Sequence, residues 1–388
     1  MPHDPQHDHD RDGAPISRRG FLRTACMVGG GACLAGLGID KLLTAAQAAS
    51  PDAGKVAMYW KPLGDGRVKC LLCPRGCITS QGKRGECGAR ENRGGAYYSL
   101  VHGWVSAANV DHVEKKPFFH YLPGSLAFSI ATAGCNMHCR DCQNWELSQS
   151  RPERVERMPA TPADVAILAS QQKCGTIAYT YNEPNVFYEY VYECAVAGHK
   201  RGVRSVIVSN GYINHDPISR LLPYLDAVKV DLKGFDDGFY RRYTGGTLRP
   251  VLDTLLTVRK SGKWLEVVYL VVPTVNDNPR SIDAMCAWVR DNLGRDVPLH
   301  FSRFHPDYQL RNLPPTPYST LEDCWQRARK AGLHYVYLGN VPGSEGEHTY
   351  CPGCGKVVIQ RTGFTVTANH LKNGRCGYCN KAIPGVWR

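Results

Sequence analysis

Of the 388 residues, 43% are hydrophobic and 21% are charged, a balance that is typical of globular proteins and excludes a wholly disordered or collagen-like chain. The formal net charge is +12, which suits an acidic partner or an anionic cofactor and equally promotes solubility. The 17 cysteines are too many for core packing alone and too unevenly spaced for a small disulfide scaffold.

Residues 1–49 are predicted to be a polar leader followed by a signal peptide. Arg18 and Arg19 precede an apolar stretch of small residues, and Ala46-Gln47-Ala48 forms a candidate cleavage site. This order is similar to a twin-arginine signal, and a chance amphipathic stretch is the alternative. Beyond residue 50 no apolar run reaches the roughly 18 residues that a membrane-spanning helix needs. We therefore expect no membrane span in the mature chain.

Residues 50–124 are predicted to form a cysteine-rich metal-binding segment. Its four cysteines have the spacing Cys70-x2-Cys73-x3-Cys77-x9-Cys87. Closely spaced pairs suit metals because two thiolates on one tight turn can bind the same ion. Zinc and a second iron–sulfur cluster both fit this set, and a disulfide pair is the alternative.

A second cysteine set follows a strand that is predicted over residues 125–131. Its spacing is Cys135-x3-Cys139-x2-Cys142, with no fourth cysteine nearby. Three thiolates on one loop can bind three irons of a 4Fe–4S cluster, which leaves the fourth iron for an outside molecule. A zinc knuckle or a chance triplet is the alternative, and the position directly after a strand argues against both.

Strand and helix patterns alternate through residues 125–345. Strands are predicted over 176–181, 204–209, 227–231, 264–272, 298–303 and 335–338, and helices over 162–173, 185–199, 216–222, 280–292 and 320–331 and from residues 237 and 250. This repeat predicts an α/β fold with six or seven parallel strands that curl into a barrel or part of one. Active sites of such barrels lie where the strands end.

The last four clustered cysteines predict a zinc-ribbon-like module over residues 346–388. Their spacing is Cys351-x2-Cys354-x21-Cys376-x2-Cys379. Four thiolates make a closed structural site, and zinc is favoured over iron because the site is small and peripheral. The apolar runs at 357–359 and 364–366 are predicted to pair as strands. The module's few basic residues form no run, so we expect no nucleic-acid partner.

The cysteine loop is similar to the signature of radical S-adenosylmethionine (SAM) enzymes. More narrowly, the chain between about residues 58 and 345 resembles the AmmeMemoRadiSam-system radical SAM enzymes, relatives of the pyruvate formate-lyase activating enzyme. The motifs that carry this resemblance are residues 70–92, EKKPFFHYLPGS at 114–125, CQNW at 142–145, YTYNEP at 179–184 and HFSRFHPDY at 300–308. The resemblance implies a partial (β/α)6 barrel, and it implies that SAM binds the open iron and yields a 5′-deoxyadenosyl radical after one-electron cleavage.

The resemblance also implies roles for polar residues at the predicted strand ends. Asn182 and Glu183 occupy the place of the family's Gly-Gly-Glu segment, which meets the SAM amine. Ser209 and Asn210 suit the ribose or carboxylate of SAM because a hydroxyl and an amide both form hydrogen bonds. These four residues are predicted to bind the cofactor.

Asp231 and Lys233 match the Asp-x-Lys element of the activating enzymes, in which the lysine can pair with the SAM carboxylate. Both are predicted to act in cofactor binding and in catalysis. Arg303, His305 and Asn340 are expected on the substrate side, with Arg303 and His305 in catalytic roles.

Two further positions depart from the pattern of the activating enzymes, and the first lies beside the cluster loop. Asp141 stands directly before the third cysteine, where the family usually has an aromatic residue. Tyr181 and Asn182 replace the paired glycines.

The sequence thus predicts a radical SAM enzyme that abstracts hydrogen from an unidentified substrate, with a glycyl residue of a partner protein as one candidate. An iron–sulfur electron carrier and a zinc-ribbon binding module on a degenerate barrel are the alternatives. The expected cofactors are a 4Fe–4S cluster, SAM and zinc, and the expected electron source is an external reductant of the ferredoxin or flavodoxin type. Localisation stays open because the signal favours export whereas SAM chemistry favours the cytoplasm.

Overall fold

The computed structural model describes residues 54–388. The predicted leader and twin-arginine signal over residues 1–49 therefore lie outside the described residues. From residue 54 onward, the longest apolar helices fall short of what a bilayer crossing requires.

The segment before the barrel consists of short antiparallel strands. One three-stranded sheet contains Lys55–Val56, Ala96–Ser99 and Arg90–Arg93, in that order. A second three-stranded sheet contains Trp60–Gly64, Arg67–Cys70 and Ile78–Thr79. The strand bounds are Lys55–Val56, Trp60–Gly64, Arg67–Cys70, Ile78–Thr79, Arg90–Arg93, Ala96–Ser99 and Trp104–Val105, the last of which pairs with Met158–Pro159.

A central eight-stranded sheet organises the molecule. Its strands, numbered here in chain order, are β1 (Ala107–His112), β2 (Leu126–Ala131), β3 (Thr176–Tyr179), β4 (Arg204–Ser209), β5 (Ala227–Asp231), β6 (Trp264–Val271), β7 (Leu299–Arg303) and β8 (Val336–Gly339). Neighbours in the sheet are also neighbours in the chain. Strands β2 to β8 run parallel, and β1 pairs with β2 antiparallel. The seven parallel strands form a partial, barrel-like sheet.

Six helices connect these parallel strands. They are α1 (Pro162–Gln171), α2 (Tyr188–His199), α3 (His215–Leu221), α4 (Leu248–Lys260), α5 (Pro279–Asn292) and α6 (Tyr318–Lys330). Helix α1 begins as predicted, because the Thr161 hydroxyl accepts from the Asp164 amide and the Asp164 carboxylate accepts from the Thr161 amide in a capping box. The strands are buried on both faces, as expected for a parallel sheet covered by helices.

The structure confirms the βα repeat, with shifts of one to three residues at many element ends. Three further differences are larger or have a clear local cause. Strand β3 ends at Tyr179 rather than residue 181, because Tyr181 adopts a positive φ of 67°. The helix predicted from residue 237 is a single turn, Asp237–Phe239, that continues as the π-helical turn Tyr240–Thr244. Strand β1 was not predicted, because most of its residues are only partly buried and the alternation of apolar residues is weak.

The C-terminal module contains the strands Thr349–Tyr350, Val357–Thr362, Thr365–Asn369, Leu371–Lys372 and Arg375–Cys376. The second and third strands pair antiparallel, which confirms the predicted hairpin.

The remaining short helical turns of the molecule are Val113–Lys115, Trp145–Ser148, Pro152–Arg154, Pro184–Phe187, Leu222–Tyr224 and Glu345–Glu347.

A buried arginine joins this module to the barrel. The Arg361 guanidinium donates to the Phe119 carbonyl at 2.7 Å and to the Thr349 hydroxyl at 2.9 Å. It also lies 4.2 Å from the Phe119 ring centroid and 3.8 Å from the Glu114 carboxylate. Burial of a charge costs several kcal/mol unless it is paired, so these contacts hold the module tightly to the segment between β1 and β2.

His120 forms a second connection between the module and the barrel. Its Nδ1 contacts the Pro384 carbonyl at 2.7 Å, and its Nε2 contacts the Tyr337 hydroxyl of β8 at 2.6 Å. Full burial lowers the pKa of His120 to about 4. The neutral ring therefore bridges the two units over the ordinary pH range.

We predict that acid weakens this connection. Between pH 6.5 and 4 the unfolded chain binds a proton at His120 that the folded chain does not, so stability falls as the pH falls through this window, by about 3 kcal/mol at most. In urea unfolding, His120→Gln is expected to flatten the pH dependence of the unfolding free energy between pH 6.5 and 4. The exposed His215→Gln is the control, and an unchanged slope in His120→Gln would contradict the prediction.

Candidate active site

A cavity of about 440 Å³ opens at the carboxyl ends of the parallel strands. Its wall includes all three cysteines of the loop after β2, and these are the only cysteines among the described lining residues. Charged side chains of both signs also line it: Glu114, Lys115, Lys116, Asp141, Glu183, Lys229, Asp231, Lys233 and Glu347. The cavity can therefore accept a ligand that carries charges of both signs.

The cysteine loop begins at a glycine that packs against the N-terminal segment. Gly134 has a φ of 97°, a conformation that favours glycine. A Cβ atom at this position would collide with the carbonyl oxygen of Cys87 and would lie 3.4 Å from the Cβ of Ala89. Only glycine lets Cys135 follow β2 at this close approach.

Asparagines at the ends of β3 and β4 hold the loop in place. Asn182 accepts from the Thr132 amide at 3.2 Å and donates to the Gly134 carbonyl at 2.9 Å. Asn210 donates to the Asn136 side chain at 2.9 Å and approaches the Cys135 sulfur at 3.8 Å. Asn182 and Asn210 both line the cavity. The hydrogen bonds of the Asn182 side chain go to the backbone at the start of the cysteine loop, so this side chain positions the loop.

Glu183 is buried where β3 and β4 end. Its carboxylate accepts from the Ser209 hydroxyl at 2.8 Å, the Asn210 amide at 2.8 Å and the Asn185 amide at 3.1 Å. Burial raises the pKa of Glu183 to about 7 despite these donors. A cation beside Glu183 would therefore stabilise its carboxylate form. Ser209 does not line the cavity and acts on Glu183 instead.

Asp231 lies between two lysines at the end of β5. Lys229 contacts one carboxylate oxygen, and Lys233 contacts the other at 3.2 Å. Burial opposes ionisation, yet the two lysine charges hold the pKa of Asp231 at about 2. Burial lowers the pKa of Lys229. For Lys233 the effect of burial is outweighed by Asp231, Cys139 and Asp141, which raise its pKa.

Lys229 was missed by the sequence analysis. The signal for it was the alternation along β5, since Lys229 and Asp231 are two residues apart and side chains of a strand at that spacing share a face. An isolated lysine inside an apolar strand could have been recognised as a buried partner of Asp231.

Asp111, Lys116 and Tyr181 form a second polar cluster that the sequence analysis missed. The Asp111 carboxylate contacts both the Lys116 ammonium and the Tyr181 hydroxyl, and Lys116 lies 4.8 Å from the Tyr181 ring centroid. Lys116 and Tyr181 line the cavity. No local pattern predicts this cluster, because Asp111 belongs to the antiparallel strand β1.

The residues expected on the substrate side are only partly brought to the cavity. Asn340 lines it and donates to the Arg303 carbonyl at 3.2 Å. Arg303 and His305 are not among the lining residues. The Arg303 side chain donates instead to the Thr316 carbonyl at 2.9 Å, and His305 is exposed.

The chemistry of the loop fits an iron–sulfur cluster. Burial raises the pKa of all three thiols, Cys135, Cys139 and Cys142, so they need a metal to be held as thiolates. One carboxylate oxygen of the buried Asp141, a residue of the cavity wall, has no hydrogen-bond partner within the described chain. Within residues 54–388, the C-terminal module is the only place where the ligand atoms of three or more His, Cys, Asp or Glu residues all lie within 4.8 Å of one another. The three sulfurs of the Cys135 loop do not meet this limit, so they are too far apart to bind a single ion together.

The C-terminal cysteines have a different geometry. The sulfurs of Cys351 and Cys379 lie 3.5 Å apart, and those of Cys354 and Cys376 lie 3.8 Å apart. A tetrahedral ion with sulfur ligands at about 2.3 Å separates its sulfurs by about 3.8 Å. This C-terminal four-cysteine set therefore fits one metal ion. None of the described cysteines forms a disulfide.

The C-terminal module also contributes to the cavity wall. Glu347, Gly363 and Phe364 line the cavity together with residues of the barrel. Gly363 and Phe364 form the turn between the paired strands of the module's hairpin. The module thus covers part of the space above the strand ends.

Comparison with known proteins connects these residues to a family. The radical SAM superfamily signature matches residues 129–285, a range that contains the cysteine loop and the polar ends of β3, β4 and β5. The uncharacterized protein MJ0808 of Methanocaldococcus jannaschii is 44% identical over 332 residues, which cover 85% of this chain and 99% of that protein.

Activating enzymes are more distant relatives. The (2S)-3-sulfopropanediol dehydratase activating enzyme of Klebsiella oxytoca is 23% identical over 32% of this chain and 39% of its own length. The pyruvate formate-lyase-activating enzyme of Clostridium pasteurianum is 21% identical over 46% of this chain and 80% of its own length.

Among solved structures, a radical SAM methyltransferase from Sphaerobacter thermophilus aligns over 80% of this chain and 85% of its own, with 13% identity and a TM-score of 0.48. A domain of the pyruvate-formate lyase-activating enzyme from Bacteroides vulgatus aligns over 42% of this chain and 98% of its own, with 12% identity and a TM-score of 0.38.

We predict that Gly134→Ala disrupts the cysteine loop. The added methyl group would push Cys135 away from Cys87, at an expected cost of more than about 2 kcal/mol in the unfolding free energy. The iron bound by the reconstituted protein should fall in parallel. Gly175→Ala is the matched control, because a Cβ there meets open space; equal stability and iron content in the two variants would contradict the prediction.

Proposed function

Because the chain belongs to the radical SAM superfamily and is related to the activating enzymes of glycyl-radical enzymes, we propose that it cleaves SAM reductively and abstracts a hydrogen atom from a substrate. The observation that carries this proposal is the cavity lined by one buried and two half-buried cysteines together with a lysine–aspartate–lysine cluster.

Cys135, Cys139 and Cys142 would bind the 4Fe–4S cluster. When bound, the cluster and SAM supply a 5′-deoxyadenosyl radical that can take hydrogen from an unactivated carbon. The protein's part is to hold the loop through Asn182 and Asn210 and to limit the access of water to the thiolates, since Cys139 is buried and the other two cysteines are half-buried.

SAM is a suitable ligand because its methionine end carries an ammonium and a carboxylate. Glu183 would accept from the ammonium, with Ser209 and the Asn210 amide fixing the direction of its carboxylate. Lys233 would pair with the SAM carboxylate, and Asp231 holds Lys233 charged and oriented. Both roles follow from charge complementarity in a buried site, where paired ions attract more strongly than in water.

For the substrate, we propose a glycyl residue of a partner protein. The support is the relationship to activating enzymes, and the motifs at residues 114–125 and 300–308 favour the AmmeMemoRadiSam-system group within the superfamily. An external one-electron reductant would supply the electron. Arg303 and His305, which lie away from the cavity wall, are proposed to contact the partner protein.

The two alternative functions are less well supported. An electron carrier needs a fully ligated cluster, whereas the described cavity wall offers only three cysteines beside an open space. A binding module on a degenerate barrel does not need the ion pairs of Asp231, which lie partly buried at the end of β5.

Release of 5′-deoxyadenosine tests the function. The reduced, iron-reconstituted protein is expected to release it from SAM, and Cys139→Ser is expected to abolish the release. Lys233→Met should raise the KM for SAM about tenfold, equivalent to about 1.4 kcal/mol, whereas the exposed Lys61→Met should not. No release above background, with the cluster confirmed by electron paramagnetic resonance (EPR), would refute the proposal.

We further propose that zinc occupies the C-terminal four-cysteine set. Cys354→Ser is then expected to lower bound zinc from about one ion per chain to nearly none and to speed amide hydrogen exchange in the hairpin that carries Phe364. Cys174→Ser, at a cysteine outside every cluster, is the control. Zinc content that stays unchanged in Cys354→Ser would exclude this site.

A further inference from the structure

We propose that Cys70, Cys73, Cys77 and Cys87 bind a second 4Fe–4S cluster that passes electrons to the cluster of the Cys135 loop. This inference rests on the proposed function for its electron acceptor, although the metal site itself does not depend on it. Three observations carry it: the assembly of the four cysteines, the spacing of their sulfurs and the contact between the two cysteine sites.

The local fold brings the four cysteines together. The Cys70 amide donates to the Cys77 carbonyl at 2.9 Å, and the turn between them is closed by the Gly76 amide, which donates to the Cys73 carbonyl at 3.1 Å. Cys87 follows a turn that starts at Gly85, and a Cβ on Gly85 would lie 3.5 Å from the Cys77 sulfur. Two tight turns therefore face each other, the first carrying three of the cysteines and the second carrying the fourth.

The spacing of the sulfurs distinguishes a cluster from a single ion. The C-terminal four-cysteine set serves as an internal comparison, because its sulfurs lie within 4.8 Å of one another. No three of the N-terminal sulfurs meet that limit within the described chain, and neither do the three sulfurs of the Cys135 loop. A 4Fe–4S cluster binds each cysteine through a different iron, so it requires sulfurs that are further apart than those around one zinc ion.

The two cysteine sites contact each other directly. The carbonyl oxygen of Cys87 packs against Gly134, the residue before Cys135. A further cavity of about 560 Å³ is lined by both Cys87 and Cys135. Electron tunnelling slows steeply with distance, and this contact gives a short path between the two clusters.

The exposure of the N-terminal cysteines indicates the side from which an electron carrier would approach. Cys70 and Cys73 are buried, whereas Cys77 and Cys87 are half-buried. Cys87 lies on the side of Cys135, and Cys77 lies beside a different surface cavity that Arg75 and Arg84 also line. A low-potential one-electron carrier protein would reduce the N-terminal cluster from this side. The same electron would then move to the loop cluster, so one carrier is oxidised by one electron and one loop cluster is reduced by one electron, with no proton transferred.

Metal analysis of full-length variants tests the site. The protein with Cys135, Cys139 and Cys142 all changed to alanine is expected to retain about four irons and four sulfides per chain and a reduced-cluster EPR signal that SAM does not change. Retention of one zinc ion instead of iron, or of no metal beyond the C-terminal site, would overturn the proposal. Because this variant lacks the three cysteines proposed to hold the SAM-binding cluster, the result is independent of whether the enzyme cleaves SAM.

A second measurement tests the relay. Cys73→Ser and Cys77→Ser together are expected to slow reduction of the loop cluster by reduced flavodoxin at least tenfold, followed by freeze-quench EPR. Titanium(III) citrate, a small reductant that can reach the loop through its open cavity, should still reduce it, which shows that the loop cluster is intact. Cys174→Ser is the control, and an unchanged rate with flavodoxin would overturn the relay.

Discussion

Parallel hydrogen bonding between neighbouring strands from β2 to β8 is the constraint on which the site depends. It forces every strand of the series to end at the same edge of the sheet. The cysteine loop follows β2, Glu183 follows β3, Asn210 follows β4, and Asp231 ends β5. These residues are far apart in the chain, and they line one cavity because no strand in the series reverses direction.

Burial of charge is the second constraint on the site, and the molecule meets it by pairing. Asp231 is stabilised as a carboxylate by two lysines, and Asp111 is stabilised by Lys116 and a tyrosine hydroxyl. Pairing offsets the loss of hydration that burial imposes on these charges, and Lys116 and Lys233, which line the cavity, remain available to a ligand. Glu183 differs, because its hydrogen-bond donors are neutral and burial raises its pKa. A cation beside it would therefore stabilise its carboxylate form.

The positions of the parallel strands could be predicted because each is a buried apolar run bounded by polar or turn residues. Asp231 and Lys233 were predicted from the end of such a run and from a family motif. Tyr181 and Lys116 were not recognised as site residues, because their meeting depends on β1, whose pairing with β2 no local pattern reveals. The left-handed conformation of Tyr181 explains why β3 stops at Tyr179.

The hairpin turn at Gly363 and Phe364 has a consequence for the order in which the molecule matures. The module that carries this turn follows the barrel in the chain, so a ribosome makes it after every strand of the sheet. Until the module docks through Arg361, the cavity at the strand ends lacks part of its wall. Under the proposed function, the loop can therefore receive its iron before the module closes the cavity, because the order of synthesis leaves an interval between the two events.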